Sequence, residues 1–511
     1  MAIVVSHLAS SFDRLARQAL RQVPLSDLIE LRLDEVGQPG EERLRELIAS
    51  LRKPVIVAVK RPDEGGAFRG DVDEQLELLR SAARAGASFV DVDWTLSLDL
   101  GELTPSKCHR IVSRHQWDGL PEDLAEFEDE VRNVMYEGDL IKLVAHAECA
   151  EDALALLQRL RQARGGLISF ASGEAGSFSR VLCRIFGSPF TYAAPAIVPG
   201  EPEAPLTAPG QLRVNDLRAM LPPGGGGDST AVFGVVGDPV AHSLSPRVHD
   251  MALKGARLDA VYVPLQVRDF ARFMELVDDP HFRGFSVTAP HKLAAFKAAK
   301  SRDEDAHATQ AANTLVRDGA GWRAANSDVV GVGETLERAW RYHLERRGKP
   351  TLSMGAPLAG VHALVLGAGG AARAAARAVL TRGGRVTVCA RRDAQAQQFA
   401  RELSCASASW STRGQVPYEV LIHTTPAGSL AQPDECVMAE HELREDAVVL
   451  DAVYRPLKTP LLAAALRRGC TAVPGAEWFV RQAHAQFRQF TQHDGDEALM
   501  RKAFEHALTG R

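Results

Sequence analysis

The sequence predicts an α/β protein in two parts, a closed (β/α)8 barrel followed by a pair of open α/β domains, and three observations predict it. Apolar strand-like runs alternate with helix-patterned segments eight times before Leu221. The stretch Leu221–Asp228, LPPGGGGD, then breaks the chain near its middle, since no packed element holds a proline pair followed by four glycines. Beyond it, Val361–Arg392 reads as strand, glycine-rich turn, helix and second strand.

Composition bounds the answer. At 511 residues the chain is too long for one ordinary core, and 45% apolar with 24% charged residues fits a globular protein. A net charge of −5 without a long basic run argues against nucleic acid as a partner. The seven cysteines are widely spaced and never form a CxxC pair, so neither disulfides nor a metal site is expected, which fits a reducing cytoplasm. There is no basic-then-apolar leader and no apolar run near ~18 residues, so neither secretion nor a membrane span is expected.

In the first half the expected strands are Ile3–Leu8, Leu28–Leu33, Val55–Lys60, Ser88–Trp94, His109–His115, Leu140–Ala145, Gly166–Phe170 and Phe190–Ala194. Helical segments between them include Gly40–Arg52, Asp73–Ala85, Pro121–Tyr136 and Ala150–Arg164. A barrel of this kind collects its site at the C-terminal ends of its strands. Polar residues inside the apolar strands are therefore informative. Glu30 and Arg32 lie two apart and face one side, as an internal ion pair or as binding groups. His115 ends the fifth strand. Lys142 sits in LIKLV, where an ammonium is costly unless it is paired or snorkels to an edge. A desolvated lysine forms a Schiff base with a ketone, and a histidine one strand away can move the adjacent carbon-bound proton.

The order ELR (Glu30–Arg32), EGG (Glu64–Gly66), His115, Lys142, GSFSR (Gly176–Arg180) and APGQ (Ala208–Gln211) resembles the type I 3-dehydroquinate dehydratases over almost the whole first half. The resemblance implies that Lys142 forms an imine with the substrate ketone and that His115 abstracts and returns protons. Glu30, Arg32, Arg180 and Gln211 would hold the carboxylate and hydroxyls, with Glu64 beside them. Three positions depart from the family pattern. Thr207 replaces a common serine but keeps its hydroxyl, Ser172 replaces a frequent methionine, and Lys60 stands where the family places arginine. Arg61 follows one place later. Because a guanidinium holds a carboxylate in two bonds, Arg61 is expected to serve the site.

In the second half, strand Ala363–Leu366 runs into Gly367, Ala368, Gly369, Gly370 and Ala371, and the helix N-terminus there presents unpaired N–H groups to a pyrophosphate. The next strand, Arg385–Ala390, ends in Arg391 and Arg392, where an NAD site would carry an acidic residue. Two arginines suit a 2′-phosphate, so the expected cofactor is NADP(H) and the domain is of Rossmann type. Ser243 and Ser245 can point two hydroxyls the same way or merely cap a helix. Gly284–Lys292 reads as a strand and proline turn presenting Lys292, and Asn326–Asp328 precedes Gly331 and Gly333. Taken singly, each of these motifs reads as surface rather than as a site.

HSLSP, VTxPHK, NT, NSD, GAGGAA, the arginine after the second strand and DAVYRP with Thr459–Pro460 resemble shikimate dehydrogenase along residues 230–505. The resemblance implies that Ser243 and Ser245 bind the substrate carboxylate and that Thr288, Asn313, Asp328 and Gln482 hold its hydroxyls. It makes Lys292 and Asp328 the catalytic pair. Departures include Ser286 for asparagine, Gln310–Ala311, Asp250, Ala390 and Arg392 around Arg391, His423–Thr424–Thr425 for Asn-Ala-Thr, Ser429, and Trp478–Phe479 for methionine-leucine.

The expected layout is a barrel at 1–221, a linker at 222–229, a substrate-binding domain at 230–335 completed by C-terminal helices at 475–505, and the nucleotide domain at 336–474. Together the resemblances imply a fused shikimate-pathway enzyme that dehydrates 3-dehydroquinate and reduces 3-dehydroshikimate with NADPH. Its partners would be small molecules, with neither nucleic acid nor membrane. The rivals are an NAD-dependent quinate dehydrogenase fused to the dehydratase, which Ser243, Ser245 and the arginine pair disfavour, and a non-catalytic metabolite sensor, which has no need of the lysines and histidine. An aldolase-type Schiff-base barrel is the rival for the first half taken alone.

Overall fold

The computed structural model describes residues 2–103, 108–163, 165–349 and 358–509. Arg164, the last residue of one expected helix, lies outside them. The chain divides into two compact units, residues 1–232 with 259–282, and residues 233–258 with 283–511. The segment 259–282, expected in the substrate-binding domain, thus groups with the first unit.

Eight parallel strands build the first unit: β1 (Ala2–Leu8), β2 (Leu28–Arg32), β3 (Val55–Ala58), β4 (Phe89–Asp93), β5 (His109–Gln116), β6 (Leu140–His146), β7 (Leu167–Ser172) and β8 (Phe190–Ala193). Their order is β7-β6-β5-β4-β3-β2-β1-β8, so β1 pairs with both β2 and β8, as in a barrel. Across the remaining seam the rings of Phe170 on β7 and Tyr192 on β8 lie 5.7 Å apart. Helices on the outside and side chains within bury both faces, which is why the strands read as near-continuous apolar runs. Connecting helices carry local start signals. Asp71 caps Val72–Arg84 in a reciprocal pair with Glu74.

The expected linker, 222–229, holds neither helix nor strand, and Gly224, Gly225 and Gly226 all take positive φ. A mixed sheet follows, made of β9 (Ala231–Gly237), β10 (Ala260–Gln266), β11 (Phe282–Val287), β12 (Ser301–Arg302), β13 (Thr314–Asp318) and β14 (Gly321–Ala325) in the order β10-β9-β11-β13-β14-β12. Strand β13 runs antiparallel to both β11 and β14.

The third sheet is wholly parallel: β15 (His362–Leu366), β16 (Arg385–Cys389), β17 (Ala406–Ser407), β18 (Val420–His423), β19 (Val448–Asp451) and β20 (Thr471–Val473), ordered β17-β16-β15-β18-β19-β20. Numbered within the sheet this is 3-2-1-4-5-6, the doubly wound order, and ligands bind where it reverses, outside the carboxyl ends of β15 and β18. Among the described residues no helix is long and apolar enough to cross a membrane.

Candidate active sites

At the C-terminal ends of the barrel strands lies a cavity of about 50 Å³ lined by Glu30, Arg32, Lys60, Glu64, His115, Lys142, Arg180, Thr207 and Gln211, with Trp117 and Tyr192. The ladder explains the central pair. Ser113 is opposite Lys142 and His115 is opposite Val144, so Lys142 and His115 share the inner face of neighbouring strands with Lys142 two residues deeper.

Asp91, buried on β4, holds the floor of the site. Its carboxylate accepts from Lys142 Nζ at 2.7 Å through one oxygen and from Lys60 Nζ at 2.7 Å through the other. Ser113 Oγ accepts from Lys60 at 2.7 Å and donates to Asp91 at 2.7 Å. Burial alone would raise the Asp91 carboxyl, but the two ammoniums outweigh it and hold it well below the usual carboxylate range. Burial pushes His115 down instead, and the ammoniums of Lys142 and Lys60 push it further, so its ring stays neutral well below its ordinary value. Trp117 stacks on that ring at 5.3 Å with an interplanar angle of 6°.

Arg180 is 1% exposed, and its Nε and Nη2 have no hydrogen-bond partner among the described residues. Its guanidinium lies 4.3 Å from the Phe170 ring centroid, and burial pushes it down to about 10. An uncompensated buried guanidinium lining a cavity is a ready carboxylate receptor. Arg32 is bound twice by Asp34, at 3.1 and 2.5 Å. Glu30 accepts from Ser6 Oγ, and Thr207 Oγ1 lies 3.0 Å from both Ser6 Oγ and Gln211 Oε1.

The structure corrects the choice of Arg61. Its side chain faces Asp63 at 3.1 Å and stays outside the cavity, while Lys60 is 3% exposed and lines it. Ala58 at the end of β3 and Lys60 just beyond it both line the cavity, whereas Arg61 opens the EGG turn with its Nε 3.8 Å from Glu64 Oε2. That turn is compact: a Cβ on Gly66 would lie 2.0 Å from Lys60 O. The sequence reading also missed Asp91, Ser113, Ser6, Asp34 and Tyr192. Asp91 carried a signal, since FVDVD places a carboxylate inside an apolar strand as LIKLV places a lysine.

In the second unit, Ser243, Ser245, Thr288, Lys292, Asn313, Asp328 and Gln482 all line one cavity of about 350 Å³. Lys292 Nζ donates to Asp328 Oδ2 at 2.6 Å. Asn313 Nδ2 donates to Ser327 Oγ at 2.9 Å, and Asn313 Oδ1 accepts from Ser327 N at 2.8 Å, which ties β13 to the helix Ser327–Arg346 carrying Asp328. Gln482 reaches the site from the helix Gly475–Thr491, which packs so closely that a Cβ on Gly331 would lie 2.6 Å from Gln482 N. The departing residues have partners here. Trp478 Nε1 donates to Asp328 O at 3.1 Å, and Ser286 Oγ donates to Gln486 at 2.8 Å.

Ala371 lines the same cavity, and a Cβ on Gly370 would lie 3.4 Å from Lys292 Cδ, so this cavity adjoins the start of the helix Gly370–Thr381. Beside it a space of about 590 Å³ is lined by Gly367, Ala368, Gly369, Ala390, Arg391, Arg392, Gln395, Trp410 and Thr424–Pro426. Gly367 has φ +124, and a Cβ there would lie 2.3 Å from Thr424 Oγ1. Gly369 faces open space at the N-cap of a helix without a side-chain cap. Arg391 and Arg392 are exposed and have no ion-pair partner among the described residues. A glycine cradle at a helix N-terminus with free arginines at the β16 end fits a dinucleotide bearing an extra phosphate. His423 is buried between Asp451 Oδ1 at 2.9 Å and Thr425 Oγ1 at 2.6 Å, which replaces the expected asparagine by a closed network.

Fold and sites define a lysine-bearing (β/α)8 barrel joined to a dinucleotide-binding α/β unit with its own Lys–Asp pair. Residues 3–223 match the type I 3-dehydroquinase family model and 235–315 that of the shikimate dehydrogenase substrate binding domain. The bifunctional 3-dehydroquinate dehydratase/shikimate dehydrogenase, chloroplastic, of Arabidopsis thaliana is 30% identical over 496 residues, covering 95% of this chain and 81% of that protein. The shikimate dehydrogenase (NADP(+)) of Syntrophobacter fumaroxidans is 32% identical over 55% of this chain and 95% of that protein. A crystal structure of shikimate 5-dehydrogenase from Thermus thermophilus with NADP(H) and shikimate is 30% identical, covers 54% of this chain and all of that one, and has a TM-score of 0.47. The chain belongs to the family of bifunctional 3-dehydroquinate dehydratases/shikimate dehydrogenases.

Proposed function

We propose that the barrel dehydrates 3-dehydroquinate to 3-dehydroshikimate through an imine on Lys142, and that the second unit reduces 3-dehydroshikimate to shikimate with NADPH. The observation that supports the reading is convergence. Two sets of residues scattered through the sequence each close on a single cavity of matching chemistry.

In the barrel, the Lys142 ammonium condenses with the ketone, losing two protons to the departing oxygen as water and leaving a protonated imine. Neutral His115 takes the proton from the adjacent carbon, and the electron pair flows into the imine. Collapse of the resulting enamine expels the neighbouring hydroxyl, which leaves as water with the proton His115 returns. Hydrolysis frees the product and restores the ammonium beside Asp91. Arg180 and Lys60 receive the substrate's negative charge, and Glu30, Arg32, Thr207 and Gln211 its hydroxyls.

In the second unit NADPH, when bound, supplies the hydride. Gly367–Ala371 and the helix N-terminus would hold its pyrophosphate, and Arg391 with Arg392 its 2′-phosphate. Lys292 gives its proton to the substrate's ketone oxygen as negative charge develops there, and Asp328 keeps that ammonium in place. Ser243 and Ser245 receive the carboxylate, while Thr288, Asn313 and Gln482 take hydroxyls. All seven cysteines are unpaired, which supports a reducing, cytoplasmic setting.

The test combines both sites. The full chain with 3-dehydroquinate and NADPH should form the enone and then consume the nicotinamide absorbance. Borohydride added with 3-dehydroquinate alone should trap one adduct, mapped to Lys142. An adduct on another residue, or none, rejects the imine assignment.

A further inference from the structure

We propose that Trp410 is the adenine-stacking surface of the nucleotide site, an affinity determinant that serves NADP and NAD alike; this rests on the cofactor reading above. The walls of the 590 Å³ space are ordered. Gly369 at the helix N-terminus fixes the phosphate end, and Arg391 with Arg392 at the end of β16 fixes the ribose. The base continues beyond the ribose, where the remaining walls are Gln395, Trp410 and Thr424–Pro426. Of these, only the indole offers the flat π-face on which a purine stacks.

The indole is held as a platform. Trp410 opens the short helix Trp410–Gln415 that follows β17, and it is half-buried against the core containing Leu364, Leu366 and Tyr418. Asp393 accepts from Ser409 Oγ at 2.9 Å and from Trp410 N at 3.3 Å. Asp393 directly follows Arg392, so the indole is tied to the element that carries the arginines. The Arg413 guanidinium lies 4.9 Å from the ring centroid and is itself fixed by donating to Val437 O at 2.7 Å and Trp410 O at 2.9 Å. A rigid ring loses little freedom when a base settles on it.

The experiment titrates the full chain with 2′,5′-ADP and with 5′-AMP by calorimetry and tryptophan fluorescence. Trp410→Ala should weaken both ligands alike, by about 5- to 100-fold, as expected for one lost stacking contact. The Arg391→Ala, Arg392→Ala pair should weaken 2′,5′-ADP alone. Trp410→Phe, which keeps a ring, should stay within about threefold of wild type while losing the fluorescence quench. Dehydration by the barrel should be unchanged in every variant, and a wild-type affinity for shikimate at the 350 Å³ cavity reports that the second unit, which carries the altered residues, is folded. Wild-type affinity of Trp410→Ala for both ligands, or a full quench in Trp410→Phe, overturns the stacking role and leaves the cofactor reading intact. Failure of the unaltered chain to bind 2′,5′-ADP removes the NADP reading and this inference with it.

Discussion

Asp91→Asn isolates the charge at the floor of the barrel. Asparagine keeps the shape of the side chain and deletes its negative charge, leaving Lys60 and Lys142, 3% and 7% exposed, without their shared counter-ion. Breaking a buried ion pair costs about 3–5 kcal/mol, and one carboxylate here serves two ammoniums, so the upper half of that range is expected. For a domain of this size each kcal/mol moves the melting temperature by roughly 2–4 °C, so about 4–5 kcal/mol gives a fall of about 8–20 °C. Calorimetry of the full chain measures it, and NADPH-dependent reduction of 3-dehydroshikimate, which uses the other unit, should be retained. The pH dependence follows from the direction of the shift. Asp91 is held below its unfolded value of about 3.9, so its contribution is complete above about pH 4 and is lost as the pH falls through the lower folded value. The asparagine variant should lack that acid-dependent component. A variant that melts within about 2 °C of wild type and dehydrates normally would refute the account of Asp91 as the counter-ion of both lysines.

Three further outcomes are expected. Lys60→Ala should cut dehydration by about 10- to 100-fold, the value of one charge-assisted contact, and Arg61→Ala should leave it near wild type; the reverse pattern in steady-state kinetics would restore Arg61. His115, held below its unfolded value near 6.5, contributes stability that is present above that pH and lost as the pH falls through the folded value, so His115→Gln should flatten urea-unfolding stability below about pH 6.5. Its dehydration rate should fall by about 10² or more, as for loss of a positioned acid and base. The pair Arg391→Ala, Arg392→Ala should raise the Michaelis constant for NADP by about 10- to 100-fold and leave that for NAD nearly unchanged; equal losses would mean that the arginines hold the fold or the shared pyrophosphate.

Much of the architecture was legible in one dimension because its signals are local. Alternation of apolar runs and amphipathic segments is imposed by burial on both faces of a parallel sheet, so eight barrel strands could be counted before any contact was known. The glycine turn at Gly367 and the arginines at Arg391 and Arg392 lie on one short βαβ segment, and their meaning travels with their spacing. Lys142 and His115 stood out because a polar group inside an apolar strand must be compensated somewhere.

What the tertiary structure alone decided concerns partners far apart in the chain. Asp91 meets Lys60 and Lys142 only because β3, β4, β5 and β6 are neighbours in register, and no local pattern assigns one carboxylate to two ammoniums. Lys60 rather than Arg61 lines the cavity because the chain beyond β3 brings Lys60 against Asp91 and leaves Arg61 against Asp63. Trp410 carries no signal in the sequence and becomes a cavity wall only when the loop after β17 folds against Asp393 and Arg413. Secondary structure follows from the periodicity of hydrophobicity, which each segment carries by itself; the electrostatics of a site depends on distances of a few ångströms between segments, which only the packed chain sets.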